Sequence, residues 1–553
     1  MTFRQSQASA HLEKRMQDTF NQESAALRRG SGRGPIPRAY LNRAIDFIDR
    51  SEVLAKVLEW DTASRKSAAG RKSYIDARAV LVLILLHFQL GYGANYQHIA
   101  DSLEYALNAE DLTLLNITNV SSDREDWYKR FCRATHRLIA VMDPHPGPRR
   151  HRLDAAEYAA ALANFSPEHL ARIDWLCESL VHTSVRHLPK DLWDKYTGNV
   201  AVDATLVCTA GFPNPTDQSE KRANADFSSG RYRREGAHDG QGATTDKAGF
   251  ELETGSMVWP NPGENGLYPS LITSVSFHKP GEVRREGLKV VTSHNKLGAA
   301  HGLVIVDRAY NNSKADNFQR PLRLAGHEFV FDYKEHDHGK QDNYEDLLLV
   351  DGFWYVRWMP VDLITAWADW RYSRISYAAA AKLSDARAPY AMIPKGRPDA
   401  DGFQRFTYPL AGTYLAIDPD TLKRVKPITA RSLTVPMTTK GLKHLQKYPY
   451  RSPAWLGHMG MRSLVESSNK TLKDHNFEDL RNIGKRSGRG FAFQYLAATM
   501  AAVSSNLRKI SQFFLTEATT LAGGKLTRQR RRKGPDNQLL PTVDPANRAR
   551  PPS

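Results

Sequence analysis

The sequence predicts an α/β protein, preceded by an all-α N-terminal region and interrupted by a β-rich insertion. Two changes of pattern along its 553 residues carry that expectation. Between about 40 and 190 the apolar spacing is helical; from about 198 it switches to short β-branched and aromatic runs. A 3.6-residue period marks an amphipathic helix, and a short apolar run bounded by breaks marks a strand. Helical patterning then returns after about 450 with MRSLVESSNKTLKDH and FAFQYLAATMAAVSSNLRKI.

Residues 1–36 are polar, end in LRRGSGRGPIP and read as a flexible arm. Residues 37–195 form the helical region. IDARAVLVLILLHFQLG and YQHIADSLEYAL make a helix pair broken at Gly91 to Gly93, followed by helices in LDAAEYAAALANF and HLARIDWLCESLVHTSV. The first pair fits either a DNA-reading helix-turn-helix or an ordinary bundle. Residues 196–343 begin the α/β part. Its runs are GNVAVDATLV, GFELETGSMVW, LITSVSF, HGLVIVDRAY and HEFVFDYK, with the helical VRREGLKVVTSHNKL after the third. Between the first two lies a polar stretch, about 210–248, containing GRYRREGAHDG. Its alternation of Arg with Tyr and Gly suits either a DNA backbone or a solvated loop. Residues 344–450 are the β-rich insertion (LLLVDGFWYVRW, FQRFTYPL, GTYLAID), and 451–515 the returning helices. Residues 516–553, Arg-rich and then Pro-rich, read as a disordered basic tail.

Lys and Arg number 77 against 60 acidic residues, a formal net charge of +17. Such an excess favours a polyanionic partner, because each neutralised phosphate releases condensed counterions. The three cysteines, Cys132, Cys177 and Cys208, are far apart and form no Cys-x-x-Cys pair. That argues against a disulfide framework or structural zinc site and fits a reducing compartment. The N-terminus lacks the apolar core of a secretory signal, and the longest apolar run, Ala79 to Leu86, is shorter than the about 20 residues a bilayer needs. A cytoplasmic, nucleoid-associated protein without membrane partners is expected.

Asp203 ends the first strand (VAVDAT) and Asp307 another (LVIVDRAY). A buried sheet fixes the position of a carboxylate at its edge, which suits ion binding; singly, each reads equally as a strand-ending turn residue. In MRSLVESSNKTLKDH, Arg462, Glu466 and Lys473 fall within about 40° of one another on a helix, and Asn469 joins that stripe. Alone, the stripe is also what a solvated face with an i, i+4 ion pair would show. A rival cluster, FDYKEHDHGKQD, holds Asp332, Glu335, His336, Asp337 and His338. Its His-x-His could bind a transition metal, but a solvated loop accounts for it better. There is no Walker-type phosphate loop.

Together these motifs resemble the DDE transposases of bacterial insertion sequences, in the branch with a strand-rich insertion before the glutamate. That branch's second motif is Asp, any residue, Gly or Ala, any residue, aromatic. Here Asp307, Arg308, Ala309 and Tyr310 match it with the aromatic one place early. The third motif, Tyr-x2-Arg-x3-Glu-x6-Lys, is matched in register by Arg462, Glu466 and Lys473, with Met459 where the Tyr would stand. The resemblance covers roughly 198–510. It implies an RNase H-like fold and two Mg²⁺ ions (Mn²⁺ substituting) held by Asp203, Asp307 and Glu466. It further implies phosphate or base contacts from Arg462, Lys473, Asn469 and Tyr310, double-stranded DNA as substrate and target, and a homodimer on paired ends. The implied activity is cleavage of transposon ends and transfer of the 3′-OH into target DNA. Two alternatives are an RNase H-like nuclease without strand transfer and an inactive DNA-binding derivative.

Overall fold

The protein is seen in a computed structural model that describes residues 34–65, 73–147, 152–211, 224, 226–234, 244–282, 284–312, 314–409, 421–423, 431–437 and 440–521. The arm up to 33 and the tail from 522 lie outside them. The chain is mixed α/β with a helical N-terminal region, and no helix among the described residues is long and apolar enough to cross a membrane.

The helical region contains α1 (Arg38–Arg50), α2 (Val53–Ser64), α3 (Ala77–Gln89), α4 (Arg124–Ala140) and α5 (Pro167–Arg186). Asp76 caps α3 by accepting the Ala79 N–H at 2.7 Å. Every residue from Ala79 to Phe88 is buried. A helix apolar all round belongs in a core, and α3 has no face to lay in a DNA groove. Its neighbour Tyr96–Asp101 runs into a π-helical turn, Ser102–Ala106, and not into a second straight helix. Of the two readings of this pair, the bundle describes α3.

The main sheet runs β2–β3–β1–β5–β6, with β4 also on β3. The strands are β1 (Val200–Cys208), β2 (Gly230–Arg234), β3 (Thr245–Met257), β4 (Ile272–His278), β5 (Leu303–Val306) and β6 (Glu328–Phe331). β1, β3 and β4 pair antiparallel, whereas β5 pairs parallel to β1 and β6 parallel to β5. The β4–β5 crossover contains α6 (Glu286–Asn295), and a short helix, Gln319–Leu324, lies between β5 and β6. Gly198 lets the lead into β1 pass close to the turn before β5: its φ is +79°, and a Cβ there would lie 1.6 Å from the Ala300 oxygen. The next residue, Asn199, accepts the Leu303 N–H at 2.8 Å, pinning the start of β5 to β1.

Two expectations change here. GRYRR, inside the stretch expected to be a polar loop, is the edge strand β2; Arg231 bonds Asp246 on β3 at 3.0 Å. Residues 235–243 of that stretch lie outside the described residues. The insertion is not purely β-rich. Strands Lys340–Tyr344, Leu347–Val350 and Phe353–Val356 form one small sheet, and Ile393–Pro394, Gln404–Thr407 and Ser432–Val435 another. Between them lie α7 (Val361–Arg371) and α8 (Tyr377–Asp385), the latter capped by Ser376. Apolar aromatics masked the helical period of α7. GTYLAID falls outside the described residues.

The returning helices are α9 (Pro453–Gly460), α10 (Ser463–Leu472) and α11 (Phe491–Leu521). Residues of α11 share one apolar core with α1, α3, α4, α5 and the Phe250, Leu252 and Phe277 side chains of the sheet. The helical region is thus fused to the sheet through α11. A second core, with Val200, Val202, Val290, Ile305 and Phe329, fills the α6 side.

Candidate active site

β1 and β5 pair in parallel with Val200 beside Val304 and Ala201 beside Ile305. Two residues further along each chain come Asp203 and Asp307. Asp203, expected at a strand end, lies inside β1, which runs on to Cys208 because β3 pairs along its whole length, whereas Asp307 directly follows β5. Neighbouring strands lie about 4.8 Å apart, which sets the two aspartates side by side. Their charges meet: Asp203 is pushed up to about 6, first by burial and in part by Asp307, against the opposing pull of Arg462 and the Asn469 hydrogen bond.

The helix α10 crosses this edge. Arg462 at its N-terminal boundary pairs with Glu466 one turn on and lies 3.7 Å from Asp203 Oδ1, so one guanidinium is shared by both carboxylates. Asn469 donates from Nδ2 to Asp203 Oδ2 at 3.2 Å. Its Oδ1 lies 3.0 Å from the Thr254 hydroxyl, which also lies 3.2 Å from the Asp203 backbone oxygen. Thr254 is the β3 residue directly opposite Asp203. Asn469, expected to face DNA, is therefore turned inward: it is 3% exposed and orients Asp203. Lys473 caps the far end of α10, half-buried. Glu466 stays exposed.

Tyr310 also differs from expectation. Its ring packs against Gly287 and Phe318, and its hydroxyl donates to Glu253, which leaves it no freedom to stack on a base. Burial and the Glu253 carboxylate hold the phenol well above its ordinary pKa. Glu253 on β3 is 2% exposed, with His278 Nε2 at 3.6 Å. Sequence reading missed Glu253 and Thr254. The strand FELETGSM carries two glutamates, Glu251 and Glu253, at alternating positions, and nothing local marks Glu253 as the one that meets Tyr310.

Hydrogen bonds and ion pairs therefore link Asp203, Arg462, Glu466 and Asn469, while Asp307 meets Asp203 through charge repulsion and Tyr310 bonds to Glu253. Among the described residues, no three His, Cys, Asp or Glu side chains are grouped closely enough to hold a metal ion. The donor chemistry nonetheless suits a hard cation. All three candidate ligands are carboxylates, and the burial and like charge that oppose ionisation of Asp203 are what a divalent ion would offset. The rival cluster forms no ligand set: Asp332 accepts from Tyr450 at 2.6 Å, Glu335 pairs loosely with Arg371 at 3.9 Å, and His338 packs on Tyr450. The sequence matches no protein-family model and no curated protein.

Proposed function

We propose that this chain is a DDE-type DNA transposase that cuts the ends of a mobile element and joins the freed 3′-OH to target DNA. The observation that carries the reading is the placement of Asp203 on β1 and of Asp307 directly after the neighbouring parallel strand β5, beside a helix bearing Glu466. The strand order β4–β3–β1–β5–β6, three antiparallel and two parallel, supports an RNase H-like catalytic domain. The excess of 17 positive charges supports a nucleic-acid partner.

Asp203, Asp307 and Glu466 would hold a pair of Mg²⁺ ions. When bound, such a pair activates the attacking oxygen and stabilises the leaving oxygen of an in-line displacement at phosphorus. The chain's own residues supply orientation and countercharge. Asn469 and Thr254 fix the Asp203 carboxylate, and Arg462 balances the charges of Asp203 and Glu466. A guanidinium such as that of Arg462 is able to fork two phosphate oxygens, while Lys473 offers a point charge. In the test, Asp203→Ala, Asp307→Ala and Glu466→Ala each abolish Mg²⁺-dependent nicking of DNA carrying the element's ends, with duplex binding retained. Nicking retained in any one variant removes that residue from the site. Nicking without strand transfer in the wild type leaves a nuclease.

A further inference from the structure

We propose that Glu253 and Tyr310 form a positioning pair for Asp307, so that two consecutive residues of β3 set both aspartates of the site. The inference rests on the metal-binding reading above.

The turn after β5, Arg308–Asn312, carries Asp307 at its entrance, and Arg308 and Ala309 are exposed. Asp307 is bound to this turn, because its Oδ1 accepts the Ala309 N–H at 2.7 Å. The turn in its place is held at two points. Gln319 bonds Asn311 at 2.6 Å at the far end, and the Tyr310 hydroxyl reaches Glu253 on the central strand at the near end. The second tie is the directional one. A phenol donating to a carboxylate makes a charge-assisted bond, roughly twice as strong as a neutral one.

The Tyr310 ring also has a fitted seat. A Cβ on Gly287, in the first turn of α6, would lie 2.8 Å from the ring, so a side chain there would displace it. Among the described residues the Glu253 side chain meets the Tyr310 hydroxyl and His278, and no Lys or Arg forms an ion pair with it. A purely structural position buried to 2% would be better served by an apolar residue, since a buried carboxylate is costly to desolvate.

Consecutive strand residues point to opposite faces. Thr254 reaches Asn469 and through it Asp203 on one face; Glu253 reaches Tyr310 and the Asp307 turn on the other. β3 thereby ties the spacing of the aspartates to a single backbone segment.

The test uses the full chain and Mn²⁺ alone, with free Mn²⁺ followed by electron paramagnetic resonance. Tyr310→Phe keeps the ring and loses the hydroxyl; Mn²⁺ affinity falls about tenfold, in line with one lost hydrogen bond to a charged group. Glu253→Leu falls alike. Glu253→Gln keeps an acceptor oxygen and stays within about threefold of wild type, a rescue that a role in bulk packing does not predict. Wild-type affinity in Tyr310→Phe, or equal losses in Glu253→Gln and Glu253→Leu, overturns the pair. A wild-type chain that takes up no Mn²⁺ overturns the metal-site reading itself, and the pair with it.

Discussion

Replacing Asn469 with Ala perturbs one hydrogen bond to the Asp203 carboxylate and leaves the helix intact. The Asn469 Nδ2 lies 3.2 Å from Asp203 Oδ2 and favours the ionised form. A hydrogen bond to a charged group contributes about 1.5–3 kcal/mol. At about 1.4 kcal/mol per pKa unit, the lower end raises Asp203 by about one unit. Asp203 stands at about 6, so it moves towards 7 in the metal-free variant. Thr254 is not orphaned by the change, because its hydroxyl still reaches the Asp203 backbone oxygen. A carboxylate holds Mg²⁺ only when ionised, so a raised pKa costs activity on the acid side. Initial nicking rates across the neutral range should show the acid limb of Asn469→Ala displaced upward by about one pH unit, with the rates converging in alkali. A loss that is the same at every pH would show that Asn469 serves the fold and not the charge state of Asp203.

His294 is buried beside Tyr196 and Thr273 and is held down to about 3, by burial first and then by neighbouring His327, His182 and His301. An unfolded imidazole titrates near 6.5. This stability is complete above that pH and drains as pH falls towards the folded value, because the unfolded chain takes up a proton that the folded one refuses. His294→Gln should therefore reduce the loss of unfolding free energy between pH 7 and pH 5 by about 2 kcal/mol in urea titrations. An identical pH dependence in wild type and variant would show that His294 is protonated in the fold. Separately, a cavity of about 610 Å³ beyond α5 is lined by Arg50, Arg186, His187, Lys190 and Trp193. Arg186→Glu with Lys190→Glu should weaken duplex binding and flatten the slope of log affinity against log salt by about two. An unchanged slope would place the DNA path elsewhere.

The sequence by itself was enough for what depends on local period and on single motifs. The switch from helical to strand spacing near 198 was legible, and so were the strands that carry Asp203 and precede Asp307 and the helix that bears Glu466, although β1 runs past Asp203 to Cys208. Each is a pattern within a dozen residues, and burial of one face imposes it directly. Three local features escaped. α7 lay inside a segment read as strand-rich, GRYRR was read as a DNA-tracking or loop segment until pairing with β3 made it an edge strand, and Asn469 shared the charged stripe yet faces the sheet.

Tertiary structure alone decided which groups meet. The Asn199 to Leu303 bond that helps fix the β1–β5 register spans 104 positions, and the Asn469 to Asp203 bond spans 266. The Glu253 to Tyr310 bond joins β3 to the turn after β5, a strand that does not pair with β3. No periodicity encodes such partners. They are selected when strands pair and a helix packs across them, because a buried carboxylate or amide must find its complement wherever the fold brings one.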